Sequence, residues 1–156
     1  MGATLVQSVL LKSLLLGSAL MVLTVFIHSW GTTTINRLLT RNRTALVKHF
    51  DGHAGFVALC IIVVFLLVLH VIQVVCWAIV YIKLADSPDI STFQDAVYFS
   101  MVTYTTLGYG DVTLTGDWRL LSGIQSMNGI LLFGWSTALL FAVVQRIWAH
   151  DDKISR

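Results

Sequence analysis

Between Ala54 and Leu84 the chain carries a single charge, Lys83, and almost no other polar side chain. A helix needs about 20 apolar residues to cross roughly 30 Å of hydrocarbon. This run is longer, so it tilts or reaches past the hydrocarbon. Ser13–Trp30 and Leu120–Trp148 are also mostly apolar and long enough to span. Over all 156 residues, 56% are hydrophobic and 12% charged, where soluble domains run near 25% charged. The chain therefore reads as one polytopic, all-α membrane domain. Its net charge of +2 is too small to point to nucleic acid. Cys60 and Cys76 share one apolar run, too far apart along a helix to bridge, and read as small hydrophobes.

One stretch breaks this pattern. Thr105-Thr106-Leu107-Gly108-Tyr109-Gly110-Asp111 sets two glycines around an aromatic, with a hydroxyl pair before them and a carboxylate after. Inside a bilayer, non-helical backbone is tolerated only where it is buried in protein or lines a wet cavity. Alternating glycines reach backbone angles closed to other residues, which lets successive carbonyl oxygens turn the same way. Four such loops around an axis stack rings of oxygens that replace the hydration shell of a cation.

Residues 106–111 resemble the selectivity-filter signature of potassium channels, and the resemblance runs from Phe93 to about Phe141. It implies a two-helix pore module with a re-entrant pore helix and filter loop, assembled as a homotetramer, to which the N-terminal apolar run adds a third transmembrane helix. By the same resemblance the carbonyls of Thr106, Leu107, Gly108 and Tyr109 bind K+, the Thr106 hydroxyl completes the innermost site, and Gly110 sits at the outer mouth. Thr105, Asp111 and the aromatic pair Tyr98–Phe99 support the loop. Gly129 and Gly134 fall where inner helices of the family carry a hinge glycine and a close-packing glycine, and are the gating candidates. K+ is the permeant ligand and no cofactor is implied. Two positions depart from the family. Leu107 stands where Val or Ile is usual. Val102 replaces a Glu that in some members pairs with the filter aspartate, leaving Tyr98 as the partner for Asp111.

In chain order, residues 1–30 are expected to form an N-terminal transmembrane helix, with Lys12 snorkelling to one interface and Trp30 near the other; an interfacial helix is the alternative. Residues 31–53 are expected to form a cytoplasmic amphipathic linker in the headgroup plane. Ile35, Leu38, Leu39, Leu46 and Phe50 lie on one face, and Arg37, Arg41 and Lys48 on the other, where they meet anionic lipid. The pore domain takes residues 54–149: outer helix 54–84, pore helix 92–104, filter 105–111 and inner helix 119–148. Residues 150–156 form a short tail. Within the outer helix His70, Gln73 and Trp77 share a face that points at protein, because polar groups facing lipid are costly. His70 reads as a packed neutral histidine or, less simply, a pH sensor. Thr92 and Asp95 have capping-box spacing.

Basic residues stay cytoplasmic. Arg37, Arg41, Arg43 and Lys48 follow the first helix, and Arg146, Lys153 and Arg156 follow the last. Asp86, Asp89, Asp95, Asp111 and Asp117 lie between the second and third. The C-terminus is therefore expected inside, with the filter and N-terminus outside, in the plasma membrane. No segment repeats Arg every third residue, so no voltage sensor is expected. No His/Cys/Asp spacing suggests a metal centre, and Gly108-x-Gly110 lacks the rest of a nucleotide loop. Transport is expected, not catalysis. A non-selective cation channel and a non-conducting channel subunit are the rival functions.

Overall fold

The computed structural model describes residues 2–41, 54–84 and 89–154. The described residues form four α-helices: α1 (Gly2–Arg41), α2 (Ala54–Leu84), α3 (Phe93–Tyr104) and α4 (Arg119–Ile154), with a 3-10 turn at Gly116–Trp118. No strand occurs among the described residues. Among the described residues three stretches are long and apolar enough to cross a membrane, Gln7–Leu38, Gly55–Leu84 and Arg119–Gln145. The chain is an all-α, multi-pass membrane protein. The short α3 is wedged between α2 and α4, and α1 lies against both.

α1 does not stop at Trp30. It continues to Arg41, so a separate surface helix starting at residue 31 does not form. Packing explains the continuity. A Cβ on Gly31 would lie 2.7 Å from the Leu69 methyls, so only glycine lets α1 rest on α2 there. Ile35 joins Ile62, Leu66 and Leu69 in a buried cluster. Thr32 donates back to the His28 carbonyl and Thr34 to the Trp30 carbonyl, so neither hydroxyl caps a new helix. Arg37 and Arg41 are exposed on the final turns, where a cation suits the helix C-terminus. Lys48, Leu46 and Phe50 lie outside the described residues. α4 likewise runs past Trp148 to Ile154, since no glycine or proline after Gly134 interrupts it.

α3 starts where Thr92 and Asp95 exchange bonds: the Asp95 N–H donates to Thr92 Oγ1 at 3.1 Å and the Thr92 N–H to the Asp95 carboxylate at 2.9 Å. The Thr92 bonds hold the Asp95 carboxyl below the usual carboxylate range. The helix is 12 residues long, about 18 Å at 1.5 Å per residue, too short to span. Its core neighbours are Trp77, Ala78 and Tyr81 of α2, Leu121 and Ile124 of α4 and Leu20 of α1. A Cβ on Gly17 would lie 2.5 Å from the Ile124 side chain, so a second glycine brings α1 against α4.

Candidate functional site

The loop after α3 is built on alternation. Thr106, Gly108 and Gly110 have φ of 60°, 56° and 80°, and no residue between them is left-handed. Two of the three are glycine, for which such angles cost little. Thr106 is β-branched, and for that residue type a positive φ is a true outlier. Strain of this kind persists only where surrounding structure enforces it. Here the bonds of the next turn do so. The Thr106 N–H reaches the Thr103 carbonyl at 3.0 Å, and the Leu107 and Gly108 N–H groups both reach the Val102 carbonyl, at 3.0 and 3.3 Å. Alternating handedness of the backbone can turn successive N–H groups to one side, and here those of residues 105–108 close on the end of α3.

The other side of the same backbone is different. Among the described residues no backbone N–H is donated to a carbonyl of residues 105–111. The Leu107 and Tyr109 side chains are 55% and 67% exposed in the single chain. Behind the loop lies a hollow of about 650 Å³ lined by Tyr98, Thr103, Thr106, Gly108, Asp111 and Ser126 among others.

Tyr98 donates to the Asp111 carboxylate at 2.6 Å. This bond holds the Asp111 carboxyl low and pushes the Tyr98 phenol up, both as expected when the charged acceptor is favoured. Phe99, one residue on, points elsewhere. Successive helical side chains diverge by about 100°, and Phe99 packs edge-on against Tyr81 at 5.0 Å. The pair therefore divides its work, one ring toward the loop and one into the core. The Thr105 hydroxyl donates to the Met101 carbonyl at 2.8 Å, within its own chain's α3.

The rear of α3 is fixed by buried side chains that sequence reading left unassigned. Ser100 donates to the Val74 carbonyl at 2.7 Å and accepts from Gln125, whose own carbonyl accepts from Tyr81 at 2.7 Å. Tyr104, the last residue of α3, donates to Gln73 and contacts His70 Nδ1 at 2.9 Å. His70, Gln73 and Trp77 are all buried, with His70 and Gln73 bonded to other helices. A Cβ on Gly129 would meet the Tyr104 carbonyl oxygen at 2.0 Å, whereas one at Gly134 would meet nothing within 4 Å. Within one chain, close approach therefore requires glycine at 129 and not at 134. Asn128, beside it, donates to Thr24 of α1 at 2.8 Å. No group of His, Cys, Asp or Glu among the described residues is arranged to hold a metal ion.

A family model described as "Ion channel" matches residues 67–146, just over half of the chain and all of the region from mid-α2 through the loop to α4. The chain belongs to this ion channel family. No curated protein and no solved structure matches it.

Proposed function

We propose that the chain forms a homotetrameric, potassium-selective channel whose filter is residues 105–111. The observation that carries this reading is the split use of the loop's backbone. The N–H groups of residues 105–108 are spent on α3, while the carbonyls of 105–111 accept no backbone bond from the described residues. Backbone carbonyls at membrane depth require partners. Four copies around an axis give them one, a dehydrated cation held by stacked rings from Thr106, Leu107, Gly108 and Tyr109. The C-terminal end of α3 abuts the loop and adds its negative dipole end toward the same axis. Tyr98 and Asp111 brace the outer turn, Gly110 lies at the mouth, and the exposed Asp89 and Asp111 raise the local cation concentration there. The acidic side faces out and Arg37 and Arg41 face the cytoplasm, in the plasma membrane, where they and Lys48 meet anionic headgroups. Gly134, free of contacts in one chain, is the better candidate of the two inner-helix glycines for bending.

Purified protein in liposomes tests this through potassium flux under a potassium/sodium gradient, with barium as blocker. The expected result is barium-sensitive flux with a reversal potential near that of K+, abolished by Gly108→Asp. Equal passage of Na+ and K+ establishes the non-selective reading. Absence of flux from well-assembled protein establishes the non-conducting subunit.

A further inference from the structure

Five buried side chains from all four helices close into a ring. Gln73 Nε2 lies 3.1 Å from His28 Nδ1, and His28 Nε2 lies 3.2 Å from Ser136 Oγ. Ser136 Oγ lies 3.0 Å from His70 Nε2, His70 Nδ1 lies 2.9 Å from the Tyr104 hydroxyl, and that hydroxyl donates to Gln73 Oε1 at 2.5 Å.

The sense of the ring follows from matching donors to acceptors. The Gln73 amide also donates to the Thr24 carbonyl at 3.4 Å, so its nitrogen, not its oxygen, faces α1 and His28. His28 Nδ1 is then an acceptor, and His28 carries its proton on Nε2, donating to Ser136. Ser136 passes its hydrogen to His70 Nε2. His70 carries its proton on Nδ1 and donates to Tyr104, which donates to Gln73. Every link runs the same way with both imidazoles neutral and of opposite tautomer.

A proton cannot enter without breaking a link. On His70 Nε2 it displaces the Ser136 hydrogen. On His28 Nδ1 it sets an N–H against the Gln73 amide hydrogens, so Gln73 turns and Tyr104 loses its acceptor. The imidazolium finds no counter-charge. The groups facing the pair are each other from α1 and α2, with ring centroids 5.3 Å apart, and the Tyr104 phenol from α3. From α4 come Ser136 and the rings of Phe133 and Trp135, and no carboxylate of the described residues is bonded to either ring. A second proton is opposed by the first at that spacing.

We infer that the His28–His70 pair is an intramembrane binding site for a single proton, whose occupancy opens the ring and releases Tyr104 at the root of the loop. Tyr104 directly precedes Thr105, and its carbonyl lies against Gly129 of α4, so its release loosens both the loop and its seat. Acid then lowers conduction, a consequence that rests on the channel reading above.

Two measurements test this on the full chain in bilayers. Nitrogen NMR of histidine-labelled protein, assigned by difference against H28Q and H70Q, reads the ring without any flux. Neutral imidazoles of opposite tautomer at neutral pH, with one titrating before the other, support the site. Matching tautomers, or two rings titrating independently like exposed histidine near pH 6.5, overturn it. Potassium flux, followed from about pH 8 to about pH 4, is expected to fall by about fivefold, the equivalent of one lost buried hydrogen bond. H28Q is expected to flatten that dependence. S136A keeps both histidines but cuts the ring, and is expected to bring neutral-pH flux down toward the acid level. Flux that is present but equally pH-independent in wild type and variants overturns the coupling. Absence of all flux overturns the conduction reading instead, and the NMR result still decides the site.

Discussion

Behind α3, Ser100 and Tyr104 each make at least two hydrogen bonds to side chains or carbonyls of their own chain, whereas in front of it the carbonyls of residues 105–111 accept no backbone bond from the described residues. The two regions are separated by one short helix and obey opposite rules. At the rear, most buried polar groups are paired across α1, α2 and α4, as an apolar interior demands, Trp77 Nε1 and Asn128 Oδ1 being the exceptions. At the front, strained backbone and exposed apolar side chains await something the single chain does not supply. On the proposed channel reading the difference teaches how the work is divided: one chain aims the loop, and the tetramer would complete it. Rear substitutions should therefore lower the stability of the fold together with any flux it supports, while front substitutions should change flux and leave the fold standing.

The sharpest attempt to break this comparison is Gly129→Ala. The new Cβ meets a backbone carbonyl at 2.0 Å, with that carbonyl's carbon at 2.9 Å, and backbone cannot rotate away as a side chain can. Overpacking of this kind costs about 3 kcal/mol or more at its upper end. The expected outcome is loss of folded, assembled protein, seen as a large drop in melting temperature in detergent. Gly123→Ala, whose Cβ meets nothing within 4 Å, is the matched control and should melt like the parent. If Gly129→Ala melts normally and alters only gating, the hinge expectation for Gly129 displaces the packing one.

Next in size is Tyr104→Phe. It deletes one hydroxyl that both donates to Gln73 and faces His70. Hydrogen bonds between membrane helices average about 0.6 kcal/mol, with a maximum near 1.7, and two links are lost here. A destabilisation of about 1–2 kcal/mol is expected from chemical denaturation, together with reduced flux. Unchanged flux with reduced stability would confine the rear to a structural role.

How far these regions could be read beforehand differs as well. The long apolar run of α2 and the pairing of Thr92 with Asp95 were legible, because both depend on neighbours within a few residues. So was the positive φ at Gly108 and Gly110, since only glycine adopts it freely. The same angle at Thr106 was not, because nothing local favours it in a β-branched residue. That His70, Gln73 and Trp77 face protein followed from their spacing. What they touch did not, since His28, Tyr104 and Ser136 are separated from them by dozens of residues. α1 held an unread signal: Ser13, Gly17, Leu20, Thr24, His28, Thr32 and Ile35 recur every three or four residues and are all buried. Hydropathy averaging conceals such a stripe, and the basic residues at the end of a spanning helix look like those of a surface helix. Hence the break expected at Trp30, which α1 ignores.

Thr92→Ala comes third. It removes an N-cap hydroxyl that satisfies the Asp95 N–H, a loss of typically about 1 kcal/mol. The cap lies at the far end of α3 from the loop, so stability should fall slightly, by thermal melting, with potassium selectivity unchanged. A change in selectivity would mean that the loop is aimed from the start of α3 as well as from its end.

The smallest effect on stability, and the clearest on the front, is expected from Tyr98→Phe. Tyr98 and Asp111 are both exposed, and the single bond between them, at 2.6 Å, ties the outer turn to α3. That bond holds the Asp111 carboxyl below its ordinary value. A group with a depressed folded-state pKa contributes stability above its unfolded pKa, about 3.9 for Asp, and loses it as pH falls through the lowered value. The brace is thus complete at neutral pH and fails only in strong acid on the outer side. Tyr98→Phe removes it at every pH, so the variant should show at neutral pH the unstable flux expected of the parent only in strong acid, with at most a slight fall in melting temperature. Repeating the external acid titration in H28Q separates this from the buried histidine event. If the variant and the parent lose flux at the same external pH, the Tyr98–Asp111 bond does not hold the front, and its stability comes entirely from neighbouring copies.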